Sequence, residues 1–251
     1  MATILDLHVH TTRHSGDSIL TPEDLLLHAR AAGLHGVCLS EHEEAWPKEE
    51  FREFQRLAWD YDLLLIRARE IPTGMGHVIC LGLDEYPVGE VPADRLRRIL
   101  DGGGGVGILA HPFRYALEPN PRAWPPTYES GWSLPKSLEE AASHPIFELV
   151  DAVEVCNGHN RHVENCVALA VANRLGLKAL GGTDAHGPQE LGRCVTVFEG
   201  DIRGEEDLIE AIRTGGFYPA KGPPSNGLAR FDMVGCILDH WDLKGEAGQL
   251  P

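Results

Sequence analysis

The segment DLHVHTTRHSGDS, Asp6 to Ser18, places His8 and His10 two residues apart and follows them with His14 and Asp17. Alternate side chains of a strand share a face, so His8 and His10 point the same way. Two imidazoles aimed at one spot form a donor pair for a borderline divalent ion, and the same groups serve acid/base chemistry. A lone His-x-His is also common surface decoration, so the rest of the chain has to decide.

The same residue types recur where apolar runs end. GVCLSEH ends in Glu41-His42, LLLIRAREI carries Glu70, GMGH brings His77 and ILAH brings His111. VEVCN supplies Glu154 and Asn157, and GGTDAH supplies Asp184 and His186. Six of the 13 histidines fall at these positions. By contrast His28 sits inside a helical pattern, His35 at the far end of its strand and His144 at the close of a short helix; these read as solvated or structural. His159 and His162 follow VEVCNG near the same mouth.

The elements that must position these residues alternate. TILDLHV reads as a strand and TPEDLLLHARAAG as a helix, with Thr21 as cap, Pro22 in the first turn and Gly33 as stop. Strands and helices then alternate through residues 36–215, which predicts a mainly parallel sheet. In an α/β barrel the loops beyond the strand C-termini build the active site, so the strand-end side chains converge on one mouth. DGGGGVG precedes a strand and is a helix stop rather than a phosphate loop. Residues 118–135 form a Pro- and aromatic-rich loop, whose Trp124, Tyr128 and Trp132 pack onto the body or cap a substrate. The expected division is a barrel over residues 1–220 and a C-terminal extension over 221–251.

Composition fits an enzyme with an ample core: 251 residues, 43% hydrophobic and 24% charged. The formal charge of −16 argues against a surface that tracks a nucleic-acid backbone, so long nucleic acid is not expected as a partner. Asp6 and His8 interrupt any apolar leader, and no run spans a bilayer, so a cytoplasmic protein without a membrane partner is expected. The six cysteines are dispersed, without a Cys-x-x-Cys pair, and read as buried reduced thiols.

With HVHTTRHSGDSILTPEDL, SEH, RAREI, GMGHVICLGL, ILAHPFR, VEVCNG and GGTDAH in this order, residues 3–220 resemble the PHP (polymerase and histidinol phosphatase) family. The resemblance implies a distorted (β/α)7 TIM-like barrel with two or three divalent ions (Zn, Mn or Fe) at the strand C-terminal face, and hydrolysis of phosphate esters. It implies one ion on His8, His10, Glu70 and Asp184. Glu70 would bridge to a second on His77 and His111, and Asp17, His42 and His186 would hold a third. Asp17, His42, Glu70, Asp184 and His186 would be catalytic, with Glu154 and Asn157 supporting the ligands from behind; Glu41 departs from the Asp common in the family and either orients His42 from behind or sits exposed. A carboxylate spans two ions about 3.5–4 Å apart, the spacing at which a bound water becomes a nucleophile towards phosphorus.

Arg114, in AHPFR, is the candidate cation for a substrate phosphate, with Arg13 as a second; His14, a further substrate-binding candidate, or a metal-bound water supplies the proton for the leaving group. The expected substrate is a small phosphate monoester, a nucleotide or a phosphorylated metabolite. Amidohydrolases also begin with His-x-His, but they bridge their metals with a carbamylated lysine. None of the five lysines (48, 136, 178, 221, 244) ends a mid-chain strand. A non-catalytic metal-binding domain is the third reading, and the retention of all nine ligand types argues against it.

Overall fold

The structure, a computed structural model, describes residues 2–117, 125–128 and 133–236. Among the described residues one curled ten-stranded sheet carries six α-helices, with strand order β10-β9-β8-β1-β2-β3-β4-β5-β6-β7. The first half is regular. Strand β1 (Thr3–Val9) leads to helix α1 (Pro22–Ala32), then β2 (Gly36–Leu39), α2 (Lys48–Trp59) and β3 (Leu64–Thr73), with the three strands parallel. Helix α1 starts and stops as its sequence dictates. The Thr21 side chain accepts from the Asp24 amide, and Gly33 at φ 82° turns the chain away.

The middle departs from a (β/α)7 pattern. Strand β4 (Gly76–Leu81) follows β3 directly as a hairpin and pairs antiparallel with it, so no helix separates the two. The two residues Gly74-Met75 are too short for a parallel crossover, and Gly76 at φ 121° makes the turn. The expected seven strand–helix repeats are therefore corrected to a mixed sheet in which β4 runs against its neighbours. Helix α3 (Ala93–Gly103), β5 (Val106–Leu109), α4 (Leu138–Ala142), β6 (Ala152–Asn157), α5 (His162–Leu175) and β7 (Lys178–Gly182) restore the alternation, and β5, β6 and β7 are parallel.

Strand β8 (Cys194–Phe198) pairs antiparallel with β1, helix α6 (Glu205–Thr214) follows, and β9 (Phe217–Lys221) and β10 (Ala229–Arg230) extend that edge. The curl brings β7 back to β1. Asp184 N donates to His8 O at 2.7 Å, His10 N donates to Ala185 O at 2.9 Å, and Val9 bridges Ala185 in parallel. Asp6 ties the seam from behind, accepting from Thr183 N at 2.7 Å and Gly192 N at 3.1 Å. Leu5, Leu7, Ile66, Ala68, Ile79, Leu81 and Leu180 pack with Leu208 and Ile212 of α6 into one buried cluster, which fixes the strand ends that carry the polar residues.

Of the loop 118–135, Tyr128 is buried against Phe113 and His144, with ring centroids 6.1 and 5.3 Å away, so it packs the loop onto the body. Trp124 and Trp132 lie outside the described residues, as does the tail from residue 237. No helix among the described residues is long and apolar enough to cross a membrane.

Candidate metal centre

Glu70 is the hub of the strand-end cluster. It is buried on β3, and its two carboxylate oxygens face different histidines. Oε1 lies 3.0 Å from His77 Nδ1 and 2.9 Å from His111 Nε2. Oε2 lies 3.3 Å from His8 Nε2, 3.2 Å from His42 Nδ1 and 3.5 Å from His10 Nε2. Asp184 Oδ1 closes the second group, 3.3 Å from His8 Nε2 and 3.1 Å from His10 Nε2. Three sets of donor atoms lie within 4.8 Å of one another: His8, His10, Glu70 and Asp184; Glu70, His77 and His111; and His10, His42 and His186. Asp17 Oδ2 stands 3.4 Å from both His42 Nε2 and His186 Nε2. The nine expected ligand residues thus meet at one mouth.

The donor set fits divalent ions on physical grounds. Nitrogen and carboxylate oxygen suit borderline metals. His10 Nε2 is buried and, although 3.1 Å from Asp184 Oδ1, is not aligned for a good hydrogen bond, which leaves its coordination to be completed by an ion. The charges agree. Burial would raise the Glu70 carboxyl, yet His8, His77, His111 and His42 hold it well below its usual range. Asp184 is held low in the same way, against burial, by His8, Arg114 and His10. Burial alone would also push His8 down, but Asp184, Glu154 and Glu70 hold its pKa well above the usual imidazole range. In the ion-free chain a proton on His8 stands where a metal cation would offset these carboxylates. His111 at φ 29° and Asp184 at φ 62° sit in the left-handed region, the kind of backbone strain that collects at functional sites.

A ring of supporting residues orients the ligands. Glu154 Oε1 accepts a hydrogen bond from His8 Nδ1 at 3.0 Å, so that in the neutral imidazole that an ion would require, the Nε2 lone pair faces the cluster. Its Oε2 accepts from His111 N and from Asn157 Nδ2, both at 2.9 Å. Gly182 makes this closeness possible, because a Cβ there would lie 2.6 Å from Glu154 Oε1 and 2.7 Å from His8 Cβ. Glu41 is not exposed, and its carboxylate makes its hydrogen bonds to residues other than His42. It is fully buried and accepts from Thr11 N, Thr11 Oγ1, Ser15 Oγ and Trp46 Nε1. Ser15 Oγ in turn accepts from His42 N at 3.0 Å, so Glu41 acts on the ligand through one intermediary.

The substrate-binding expectations fare differently. Arg114 reaches the cluster, but Nη2 donates to Asp184 Oδ2 at 2.5 Å and to Asn157 Oδ1 at 2.8 Å, and Nε donates to Asn160. Arg13 turns away to Glu50 on α2, at 2.5 Å, because that carboxylate is its near neighbour on the exposed rim. His14 is buried against Trp46 with Nδ1 3.3 Å from Glu44, so it does not face the ligands. His162 points to Gly235 O and Lys221, which places it with the C-terminal segment rather than at the mouth. His159 does stand at the mouth, its Nε2 3.2 Å from Glu190 and its ring centroid 6.1 Å from that of His186.

Two supporting carboxylates escaped the sequence reading. Glu190 Oε2 accepts from His186 N and Gly187 N, and its signal is the short Gly-Pro-x-Glu turn after GGTDAH. Asp6 carries no such signal beyond its polarity inside an apolar strand, and burial pushes its pKa up to about 6. The expectation of six reduced thiols is also corrected. Cys166 and Cys236 are joined by a disulfide, because the C-terminal segment folds back over α5, while Cys38, Cys80, Cys156 and Cys194 are buried and free.

Three groups of His and carboxylate donors that could hold metal ions thus gather at one end of a curled sheet. Residues 162–216 match a family model described as PHP-associated. The matched segment lies within residues 3–220, over which the ordered motifs resemble the PHP family. No curated protein matches the sequence. Among solved structures it is similar to PsfC from Pseudomonas syringae PB-5123, at 19% identity and TM-score 0.59, over 89% of this chain and 93% of that one. It is also similar to a Bifidobacterium adolescentis ATCC 15703 protein assigned to the metal-dependent phosphoesterases, at 17% identity and TM-score 0.55, over 83% and 96%. A third is Endonuclease Q in complex with a 27-mer duplex substrate with an abasic lesion at the active site. There identity is 14% and TM-score 0.54, over 86% of this chain and 58% of that one. Likeness at these identities establishes the fold.

The last comparison corrects one expectation. Net charge argues against long nucleic acid, yet Endonuclease Q, which is similar in fold, takes a 27-mer duplex substrate with an abasic lesion at its active site. A formal charge of −16 averages the whole chain, whereas local groups set the potential at a mouth.

Proposed function

We propose that this chain is a metal-dependent phosphoesterase and that its substrate is a small phosphate monoester, a nucleotide or a phosphorylated metabolite. The observation that carries the reading is the Glu70 carboxylate, one oxygen of which faces His77 and His111 while the other faces His8, His10 and His42. A shared carboxylate of this kind is what a multinuclear hydrolytic site requires.

His8, His10, Glu70 and Asp184 would hold one ion, Glu70, His77 and His111 a second, and Asp17, His42 and His186 a third. Bound divalent ions would supply Lewis acidity towards the phosphoryl oxygens and an activated water. The chain's own residues do the positioning. Glu154 fixes the His8 tautomer, and Arg114 restrains Asp184 through its outer oxygen. Arg114 Nη1 is not engaged by any described residue, which leaves its two N–H groups for phosphoryl oxygen. Arg13 and His14, turned to Glu50 and Glu44, are not part of the proposal. An amidohydrolase-type reaction is disfavoured because the bridging position is held by Glu70 and not by a lysine.

The test is a hydrolysis screen with Mn²⁺, Zn²⁺ or Fe²⁺, covering phosphate monoesters, phosphodiesters and lesion-bearing duplex DNA, with His10→Ala as control. Phosphate release from small monoesters, abolished in the variant, is expected. No hydrolysis of any phosphate ester would overturn the activity. Cleavage of DNA alone would overturn the substrate class.

A further inference from the structure

A second group of metal-type donors lies outside the mouth. His162 and Cys166, four residues apart on the first turns of α5, face Cys236 of the C-terminal segment, with their ligand atoms within 4.8 Å of one another. We propose that His162, Cys166 and Cys236 form a redox-gated site for a soft divalent ion such as Zn²⁺. The ion is held when the two thiols are reduced and released when they join as the disulfide seen here.

Geometry carries the proposal. With metal–sulfur bonds of about 2.3 Å and a metal–nitrogen bond of about 2.0–2.1 Å, a tetrahedral site has a nitrogen–sulfur edge of about 3.6 Å. His162 Nε2 already lies 3.6 Å from Cys166 Sγ. Residue spacing of four on a helix keeps both side chains on one face, whatever the state of Cys236. The segment that brings Cys236 has its own anchors. Phe231 is buried, with its amide donating to Pro219 O at 2.8 Å, β10 pairs with β9, and Asp232 caps the following turn. Reduction therefore leaves both thiols where they are, and the sulfurs need only turn apart to sulfur–sulfur contact. His162 is exposed, so the fourth position is open to water.

Two local groups compete with the ion and set its conditions. His162 Nε2 now faces Gly235 O at 2.9 Å, and Nδ1 faces Lys221 Nζ at 3.0 Å. Binding through Nε2 moves the imidazole proton to Nδ1 and turns Lys221 aside. Release balances as a thiol–disulfide exchange. The two cysteine thiolates lose two electrons as their S–S bond forms. A low-molecular-weight disulfide takes those electrons, its own S–S bond breaking to two thiolates, and the ion departs. Thiolate sulfur prefers a softer ion than the nitrogen and oxygen donors at the mouth, so the two sites are chemically distinct.

Co²⁺ added to the full chain under a phosphine reductant tests this directly. Once the nitrogen and oxygen sites of the mouth are filled, one further equivalent is expected to give a near-ultraviolet thiolate-to-cobalt band, which the mouth's donors cannot produce because none is sulfur. The band should vanish in Cys166→Ser and Cys236→Ser and weaken at least tenfold in apparent affinity in His162→Ala. Adding a low-molecular-weight disulfide to the wild type should remove it and release one Co²⁺. His162 is exposed, so its variant decides the matter if a cysteine variant does not fold. No band in the reduced wild type, a band that survives Cys236→Ser, or unchanged affinity in His162→Ala would overturn the site.

Discussion

Replacing Glu154 by Gln changes one atom and should invert a tautomer. In the native chain Oε1 accepts from His8 Nδ1, while Oε2 accepts from His111 N and Asn157 Nδ2. A glutamine amide must turn its oxygen to those two donors. The His111 donor is backbone, and Asn157 cannot flip, because its Oδ1 already accepts from Arg114, His159 N and Asn160 N. The amide NH₂ therefore faces His8 Nδ1, which must become the acceptor, and the proton moves to Nε2. That nitrogen is the one facing Glu70 and Asp184, so its lone pair is lost to a metal. Loss of an outer carboxylate of this kind costs about 10–100-fold in metal affinity, or about 1.4–2.7 kcal/mol. Competition dialysis against Mn²⁺ at fixed pH, with circular dichroism to confirm folding, measures it. A folded Glu154→Gln that binds within twofold of the wild type would refute the tautomer argument.

Other substitutions probe the supporting structure. Glu41→Gln turns an amide NH₂ towards either the Thr11 amide or the Trp46 indole, both fixed donors, and should cost about 2–3 kcal/mol in urea denaturation. Gly182→Ala forces Glu154 and His8 apart and should lower both the melting temperature and metal affinity, since the competing atoms lie under 3 Å from the new Cβ. His144 is buried, and desolvation lowers its pKa from 6.5 to about 4, so the unfolded chain binds more protons between those values. Stability should fall as pH drops from about 6.5 towards 4. His144→Asn, which keeps a cap acceptor for the Ile146 amide, should flatten that part of the pH profile.

Much of this architecture is legible in the sequence because local and global signals agree. Strand β1 spans Thr3–Val9 as its apolar run suggests, and Thr21, Pro22 and Gly33 bound helix α1 through caps that act over four residues. Positions at strand ends are read from order alone, which is why His8, His10, Glu70, His77, His111, Asp184 and His186 come together. The hairpin between β3 and β4 was less legible, since both strands read as strands but their mutual direction depends on a two-residue turn. Strands β9 and β10 were missed because FYPAK and AR are short and carry a proline or no apolar alternation. Side-chain direction in loops was beyond reach. Arg13 and His14 sit beside the ligands in sequence, yet Glu50, Glu44 and Trp46, from a later segment, decide where they point. Whole-chain charge misled about nucleic acid for the related reason that it carries no position.

Glu70 is proposed to serve two ions at once, and metal stoichiometry of the wild type against Glu70→Gln tests that most directly. Elemental analysis after equilibrium dialysis with Mn²⁺ or Zn²⁺ at the mouth, with Cys166→Ser as the shared background, should give two or three ions per chain. It should show at least two of the mouth's sites weakened together by the one substitution. A background chain that holds fewer than two ions, or a Glu70→Gln chain that loses no more than one, would contradict the shared carboxylate and the function built on it.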